Sequence, residues 1–418
     1  MANTTWSNIE IKKYPKLNKN IKTNCLVVGG GICGVLCAYR LKELGIDVLL
    51  VERGKIANER TIRTTATITA LQDFLYQDLD IYKRKLYFEA SIEAINEYKK
   101  LNKKHNFLFE EVSSYKYFNS HNLFVNEIKA LNEIGYYPNS FIYNGKYIIE
   151  FMNQAQMNPM LLIKELINNI EIYEDTEITY YDSNKAYTTN NNVIEFNNII
   201  ITTGYPFMKI KGLFSFKLYQ NKSYVIEIEN KNNTKYHAIG SNNNDLYYRT
   251  YNNSLLIGYG NYKTGKNNLE FKPIINIIND RYKNHKIIHK WINQDTMSLD
   301  NIPYIGKIND NVYIACGFNM YGMTNSMISS ILIRDLILNK DNKYINLFNP
   351  KRKLPINKII KQISFSIFYL LNPKIKRCKH LGCSLNFIKS EKTYECPCHG
   401  SKYDLDEKVI FGPTSHNM

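Results

Sequence analysis

Six consecutive residues near the start, Gly29-Gly30-Gly31-Ile32-Cys33-Gly34, constrain this chain more than any other stretch. They satisfy G-x-G-x-x-G, a pattern that carries information only in context. Here the context is complete. Asn24-Cys-Leu-Val-Val precedes the glycines as a short apolar run of the buried-strand kind. Val35 to Leu44 follows with helical spacing, Gly45 ends that helix, and Asp47-Val-Leu-Leu-Val-Glu52 opens a second strand. The reading is a βαβ unit. Gly29 makes the tight turn, Gly31 lets a backbone approach a pyrophosphate, and Gly34 lets helix and strand pack closely. The helix N-terminus offers free N–H groups and partial positive charge to phosphates. Glu52, about twenty residues on, is placed to accept hydrogen bonds from ribose hydroxyls. A glycine turn in an ordinary βαβ unit would account for the glycines alone; the full set points to a dinucleotide, and FAD and NAD both fit it.

Residues 75–105 read as amphipathic helix, Pro159 to Asn169 as another, and 172–206 as short strands ending in Asn198-Ile-Ile-Ile-Thr-Thr-Gly204. From about 208 to 298 the pattern is strand-rich, for example Ser223-Tyr-Val-Ile-Glu-Ile-Glu. Val312-Tyr-Ile-Ala reads as a strand and Asn325 to Leu338 as a helix. Residues 341–373 form a linker, within which Ile363 to Leu371 fits helical spacing and strand alternation equally well. No internal repeat is present.

With 418 residues, 44% of them hydrophobic, the chain can hold two or three domains with a sizeable core. The +16 charge comes from Lys scattered among Asn, Ile and Tyr, with no basic stripe or binding motif, so no nucleic-acid partner is expected. The start is polar and no run reaches the ~18 apolar residues that a membrane span needs, which predicts a cytoplasmic protein. Cys25, Cys33, Cys37 and Cys316 sit singly in apolar segments, as small buried hydrophobes do. The other four cysteines crowd into the last tenth of the chain, which indicates a local site.

That tail reads Cys378-Lys-His380-Leu-Gly-Cys383, then twelve residues, then Cys396-Pro-Cys398-His399-Gly-Ser401. Cys/His pairs at short spacing suit tetrahedral zinc. The C-x-H first arm with a Cys-Pro-Cys-His-Gly-Ser second arm resembles the Rieske family instead. The resemblance implies a [2Fe–2S] cluster held by Cys378, His380, Cys396 and His399. Two thiolates would hold one iron and two neutral imidazoles the other, raising the potential to roughly −150 to +300 mV. It also implies a disulfide between Cys383 and Cys398, and Gly412-Pro413 resembles the family's closing proline loop. Rieske domains usually build several strands before the first arm; only 45 residues remain from 374, so the supporting sheet is expected to be reduced or borrowed.

Separated segments of the longer part resemble the glycine/D-amino-acid oxidase family of flavoproteins over about 24–340. They are Arg63-Thr64-Thr65-Ala66, Ile199 to Gly204, Asp300-Asn-Ile-Pro-Tyr-Ile-Gly306, and Gly317-Phe-Asn-Met-Tyr-Gly322-Met323-Thr324. The resemblance implies FAD, contacted by these segments beside Gly29, Gly31, Gly34 and Glu52. It implies an α/β fold: a discontinuous Rossmann-like FAD-binding domain (about 20–75, 150–207 and 298–340) and an interleaved, mainly antiparallel substrate domain (about 76–149 and 208–297). After the 341–373 linker comes a small all-β Rieske-type module, 374–418. The expected activity is oxidation of a small molecule, an amine or amino acid, with electrons passing from flavin to cluster and on to an external acceptor. Arg249, Tyr224 and Tyr321 are candidates to face the flavin, since a substrate carboxylate favours an Arg. The competing readings are an oxidase with a structural cluster and an electron-transfer or redox-sensing protein without a small-molecule substrate. Contact of 363–371 with a membrane surface is weighed against burial of that stretch, and burial is the expectation.

Overall fold

Apolar residues at 25–28 and 48–51 give two strands buried on both faces, which is what a sheet covered by helices on each side requires. The computed structural model of the chain describes all residues except 1–2, 73–74, 207–211, 231–233, 243–244, 267–269, 283–284 and 415. Strand Ile21–Val28, helix Ile32–Lys42 and strand Val48–Val51 form the expected βαβ unit, and Gly45, at φ +75°, turns the chain after the helix. The eight-stranded sheet runs Tyr304–Asn309, Val312–Cys316, Val193–Gly204, Ile21–Val28, Val48–Val51, Glu171–Tyr173, with a hairpin at 178–188 on one edge. Its central pairs are parallel. Helix Gly322–Ile337 lies against Ile32–Lys42 and begins a turn earlier than its apolar pattern predicts.

The second sheet has nine strands and is antiparallel except where Tyr236–Gly240 runs beside Glu110–Phe118. It takes Thr67–Ile68 and Lys146–Gln156, which cross the expected boundaries at 75 and 150. The start of the strand-rich stretch, 208–211, lies outside the described residues. Helix Lys272–Arg281 interrupts that stretch: Pro273 sits in its first turn, and Ile274 and Ile278, four apart, bury on a local core.

The tail folds as four short antiparallel strands, Asn386–Ile388, Thr393–Glu395, Lys402–Tyr403 and Val409–Phe411. The ambiguous stretch is helical, as part of Ile356–Leu371, and the expected burial of 363–371 does not hold: Ile367, Phe368, Leu370 and Leu371 are exposed, because only its Phe365 and Tyr369 edge meets the protein. The small sheet leans on the larger body. Lys222 of strand Leu218–Glu229 is buried against Glu391 and Glu395 at 2.6 and 3.1 Å, and the Gly265 N–H donates to Glu395 at 2.9 Å. Arg53 donates to the Gly412 carbonyl, and Arg60 lies 4.7 Å from the Phe411 ring. Among the described residues, no helix is long and apolar enough to cross a membrane.

Candidate functional site

Each glycine of the fingerprint meets a different constraint. Gly29 has φ +112°, a conformation that favours glycine. A Cβ on Gly34 would stand 1.9 Å from the Gly29 carbonyl oxygen, so helix and turn touch there without side chains. A Cβ on Gly31 would find no protein atom nearer than 3.4 Å: it faces an open channel, as a pyrophosphate requires. Thr61 Oγ1 accepts the Ile32 N–H at 3.0 Å and steadies the helix start. Glu52 accepts N–H bonds from Gly30 at 2.7 Å and Gly54 at 2.8 Å. Burial, reinforced by the Glu59 charge, pushes its carboxyl up to about 7.

Three cavities follow one another. The middle one is the dinucleotide channel, lined by Gly29, Gly31, Glu52, Thr64, Gly204, Gly322 and Met323 from the expected set. A Cβ on Gly322 would meet nothing within 4 Å, so the N-terminus of helix Gly322–Ile337 opens on free space. Thr64, Asn293, Asp295 and Met320 border both this channel and a cavity of about 370 Å³ that also holds Arg63, Thr65, Asp78, Asp245 and Tyr321. Gly29, Glu52, Glu59 and Thr203 border the channel and a third cavity, whose far wall is His380 with Gly412–Thr414. The two halves of the chain thus meet at the channel.

The remaining candidates sit elsewhere. Arg249 is buried and spends its guanidinium on the Thr65 and Met157 carbonyls and Gln156, between the rings of Trp6 and Tyr251. It braces the 63–66 segment and lines none of the three cavities. Tyr224 donates to Glu391 at 2.8 Å, in the contact with the small sheet. Ala66 and Thr324 line none of these three cavities either: Ala66 takes a left-handed turn at φ +54°, and Thr324 is bonded to the Thr69 backbone. Sequence reasoning passed over Arg60, Asn293 and Asp295. Their signal is faint: Asn293 and Asp295 are polar residues two apart, hence on one face, in strand Ile287–Ser298. Burial, partly offset by Arg60, raises the Asp295 carboxyl to about 6.

At the tail, the two arms converge. The rings of His380 and His399 lie 4.9 Å apart, and the Tyr205 ring packs edge-on to both. Both nitrogens of His380 and Nδ1 of His399 are buried without a hydrogen-bond partner. Orphaned buried imidazole nitrogens are costly unless they hold something. His399 Nε2 donates to the Ser215 carbonyl at 2.7 Å, which leaves Nδ1 as the lone-pair nitrogen. Burial holds His380 down to about 3 and His399 to about 4, so both are neutral at ordinary pH, as imidazole ligands must be. Cys378 Sγ receives the His380 N–H at 3.4 Å and the Tyr403 hydroxyl at 3.7 Å. Sulfurs of Cys383, Cys396 and Cys398 lie within 4.8 Å of one another. That trio alone would leave both histidines stranded, whereas Cys378, His380, Cys396 and His399 give each histidine one ligating nitrogen. Cys383 and Cys398 are unbonded thiols in this structure.

Comparison with known proteins agrees with this division. Residues 24–336 match the family described as FAD dependent oxidoreductase, and 374–418 match the Rieske [2Fe-2S] domain. YhfW of Bacillus subtilis, named for a Rieske 2Fe-2S iron-sulfur centre, is 26% identical, with 98% of this chain and 96% of that one covered. Among solved structures, L-proline dehydrogenase from P. horikoshii superposes with TM-score 0.67 at 16% identity, over 80% of this chain and 98% of that one. Glycine oxidase from Geobacillus kaustophilus does so with TM-score 0.67 at 14% identity, over 80% and 100%.

Proposed function

Because the chain belongs to the FAD-dependent oxidoreductase family and ends in a Rieske domain, its cofactors are FAD and a [2Fe–2S] cluster; we propose that it oxidises a small amine, or an amino acid gripped by its amino group, and passes the electrons through the cluster to an external acceptor. Bound FAD supplies a two-electron hydride acceptor, and the cluster supplies a one-electron outlet. The protein's part is positioning. Asp78, Asp245 and Asp295 line the substrate cavity, where Arg63 is the lining cation among the described residues. Arg63 is itself bonded to the Asn58 and Glu59 carbonyls. A cavity with this balance attracts an ammonium more than a carboxylate. Asp295, on the border with the flavin channel, is placed to hold that ammonium and to take its proton.

One observation carries the electron outlet. Asp295 faces the flavin channel, while its neighbour Gln294 donates from Nε2 to the Gly400 carbonyl at 2.6 Å, in the second ligand arm. A single strand therefore separates the flavin site from the cluster arm, and tethering in one chain keeps the acceptor at high effective concentration. The competing structural-cluster reading gives no reason for this contact. The test is anaerobic rapid mixing of holoprotein with a panel of amines and amino acids. Flavin bleaching by a panel member, followed by the reduced-cluster EPR signal, is expected. A cluster that stays oxidised while a one-electron acceptor is turned over would remove the outlet.

A further inference from the structure

Helix Ile356–Leu371 is amphipathic, yet its apolar stripe faces out. Ile356, Ile360, Ile367 and Leu371 recur at intervals of four and seven, so they share one face. They are 72%, 58%, 48% and 75% exposed. The opposite edge faces the protein: Gln362 is buried and bonded to Lys263 at 3.0 Å, and Phe365 lies under the Lys263 ammonium at 3.7 Å. Tyr369 packs on the core of the cluster module. A helix that turns Gln362, Phe365 and Tyr369 inward and leaves its aliphatic stripe exposed is held for something outside the chain. Exposed Ile375 and Leu381 carry the apolar surface on to the first ligand arm, beside His380. At the helix's other end, the Lys358 charge acts on Asp78 of the substrate cavity.

Charge identifies the occupant. From Asn342 to Ser390 the chain has no Asp or Glu and eleven Lys and Arg. Three of these are neutralised inside the fold: Lys343 by Glu89, Arg352 by Asp300 and Lys376 by Glu407. Lys358 and Lys361 are exposed on the helix itself, and Lys374 and Lys379 lie just beyond it. A second copy would bring the same positive charge to the interface and be repelled. We infer that this face is an interfacial anchor, seating the helix in the headgroup region of an anionic lipid bilayer. A 16-residue helix is about 24 Å long, short of the roughly 30 Å hydrocarbon core. It lies on the surface with its aliphatic stripe in the acyl boundary and Lys361, Lys374 and Lys379 among the phosphates. Docked this way, the cluster arm and the substrate cavity both border the lipid.

The experiment is flotation of the holoprotein with vesicles of phosphatidylcholine alone or with about one-third phosphatidylglycerol. Binding at least about tenfold stronger to the anionic vesicles, weakened by about 0.5 M salt, is expected. The variants Ile360→Asp/Ile367→Asp/Leu371→Asp and Lys361→Glu/Lys374→Glu should each lose about tenfold or more. Flavin and cluster absorbance should be unchanged in both. The charge-reversed pair decides the matter should the triple variant lose its cofactors. Absence of flotation by the wild type overturns the inference, as does equal flotation of wild type and charge-reversed protein. A dimer in sedimentation velocity that the triple variant abolishes, without flotation, would replace the bilayer by a second copy.

Discussion

Lys222→Met tests how the cluster module is held. Lys222 is 1% exposed and bridges Glu391 (6%) and Glu395 (0%), so all three charges are out of water. Met matches the length of the stem and removes the ammonium. Glu391 would keep Lys402 and the Tyr224 hydroxyl, and Glu395 the Gly265 N–H at 2.9 Å, but two buried carboxylates would then face one lysine. Breaking a buried pair on one side costs about 3–5 kcal/mol, or from about a hundredfold to several thousandfold in the docking equilibrium. Hydrogen exchange reads this directly. Amides of Thr393–Glu395 should exchange faster by about that factor, while those of helix Ile32–Lys42 stay as they were. Lys222→Met/Glu395→Met leaves Glu391 paired with Lys402 and should recover part of the loss, because an apolar pair replaces a buried ion pair at little cost. The acid response has a definite sign. Burial opposes charge on Glu391, yet Lys402 and Lys222 hold its carboxyl down at about 2. Its folded value lies below the ordinary glutamate value of 4.5, so its contribution to docking is complete above about pH 4.5 and disappears as pH falls toward 2. Exchange at Thr393–Glu395 that is identical in wild type and Lys222→Met would refute the reasoning.

Gly31→Val should fold, with room for its Cβ, but lose flavin absorbance, whereas Gly34→Ala, with a Cβ 1.9 Å from a carbonyl, should lower thermal stability. The opposite pattern would misassign the channel. Asp295→Asn should raise KM for an amine about tenfold or more and lower kcat as well, since it loses both the charge that holds the ammonium and the base that takes its proton, and in the wild type kcat/KM should fall as pH drops below about 6, where Asp295 gains its proton. A flat profile removes Asp295 from amine binding. Protein made anaerobically should hold equal iron and acid-labile sulfide with an average g-value below that of all-cysteine clusters; one zinc per chain and no iron would contradict it. Mass spectrometry of cluster-loaded protein should find Cys383 joined to Cys398, and free thiols at both positions would reject the pairing.

The fingerprint turn, its following helix and the acidic strand end were legible because their physics is local. A tight turn, a close backbone approach and a helix start are each specified within a few residues, and Gly29, Gly31, Gly34 and Glu52 carry them openly. The paired cysteines and histidines of the tail were legible for the same reason: short spacing keeps the two donors of each arm together. The strand-rich middle announced its sheet by alternation, although helix Lys272–Arg281 stayed hidden because isoleucine-rich turns suit either period.

What the sequence left open depends on residues far apart in the chain. Arg249 could not be told from a substrate-binding arginine until Thr65 and Met157 were seen to claim its donors. Asp295 and Arg60 meet at the channel only because strands from distant segments converge there. Lys222 finds its carboxylates about 170 residues away. The stretch Ile363 to Leu371 suited helix and strand equally, and even a settled helical period gives a helix its faces and says nothing of which one turns inward. That was decided by what the cluster module and Lys263 offered the opposite edge, which leaves Ile356, Ile360, Ile367 and Leu371 as an outward apolar face.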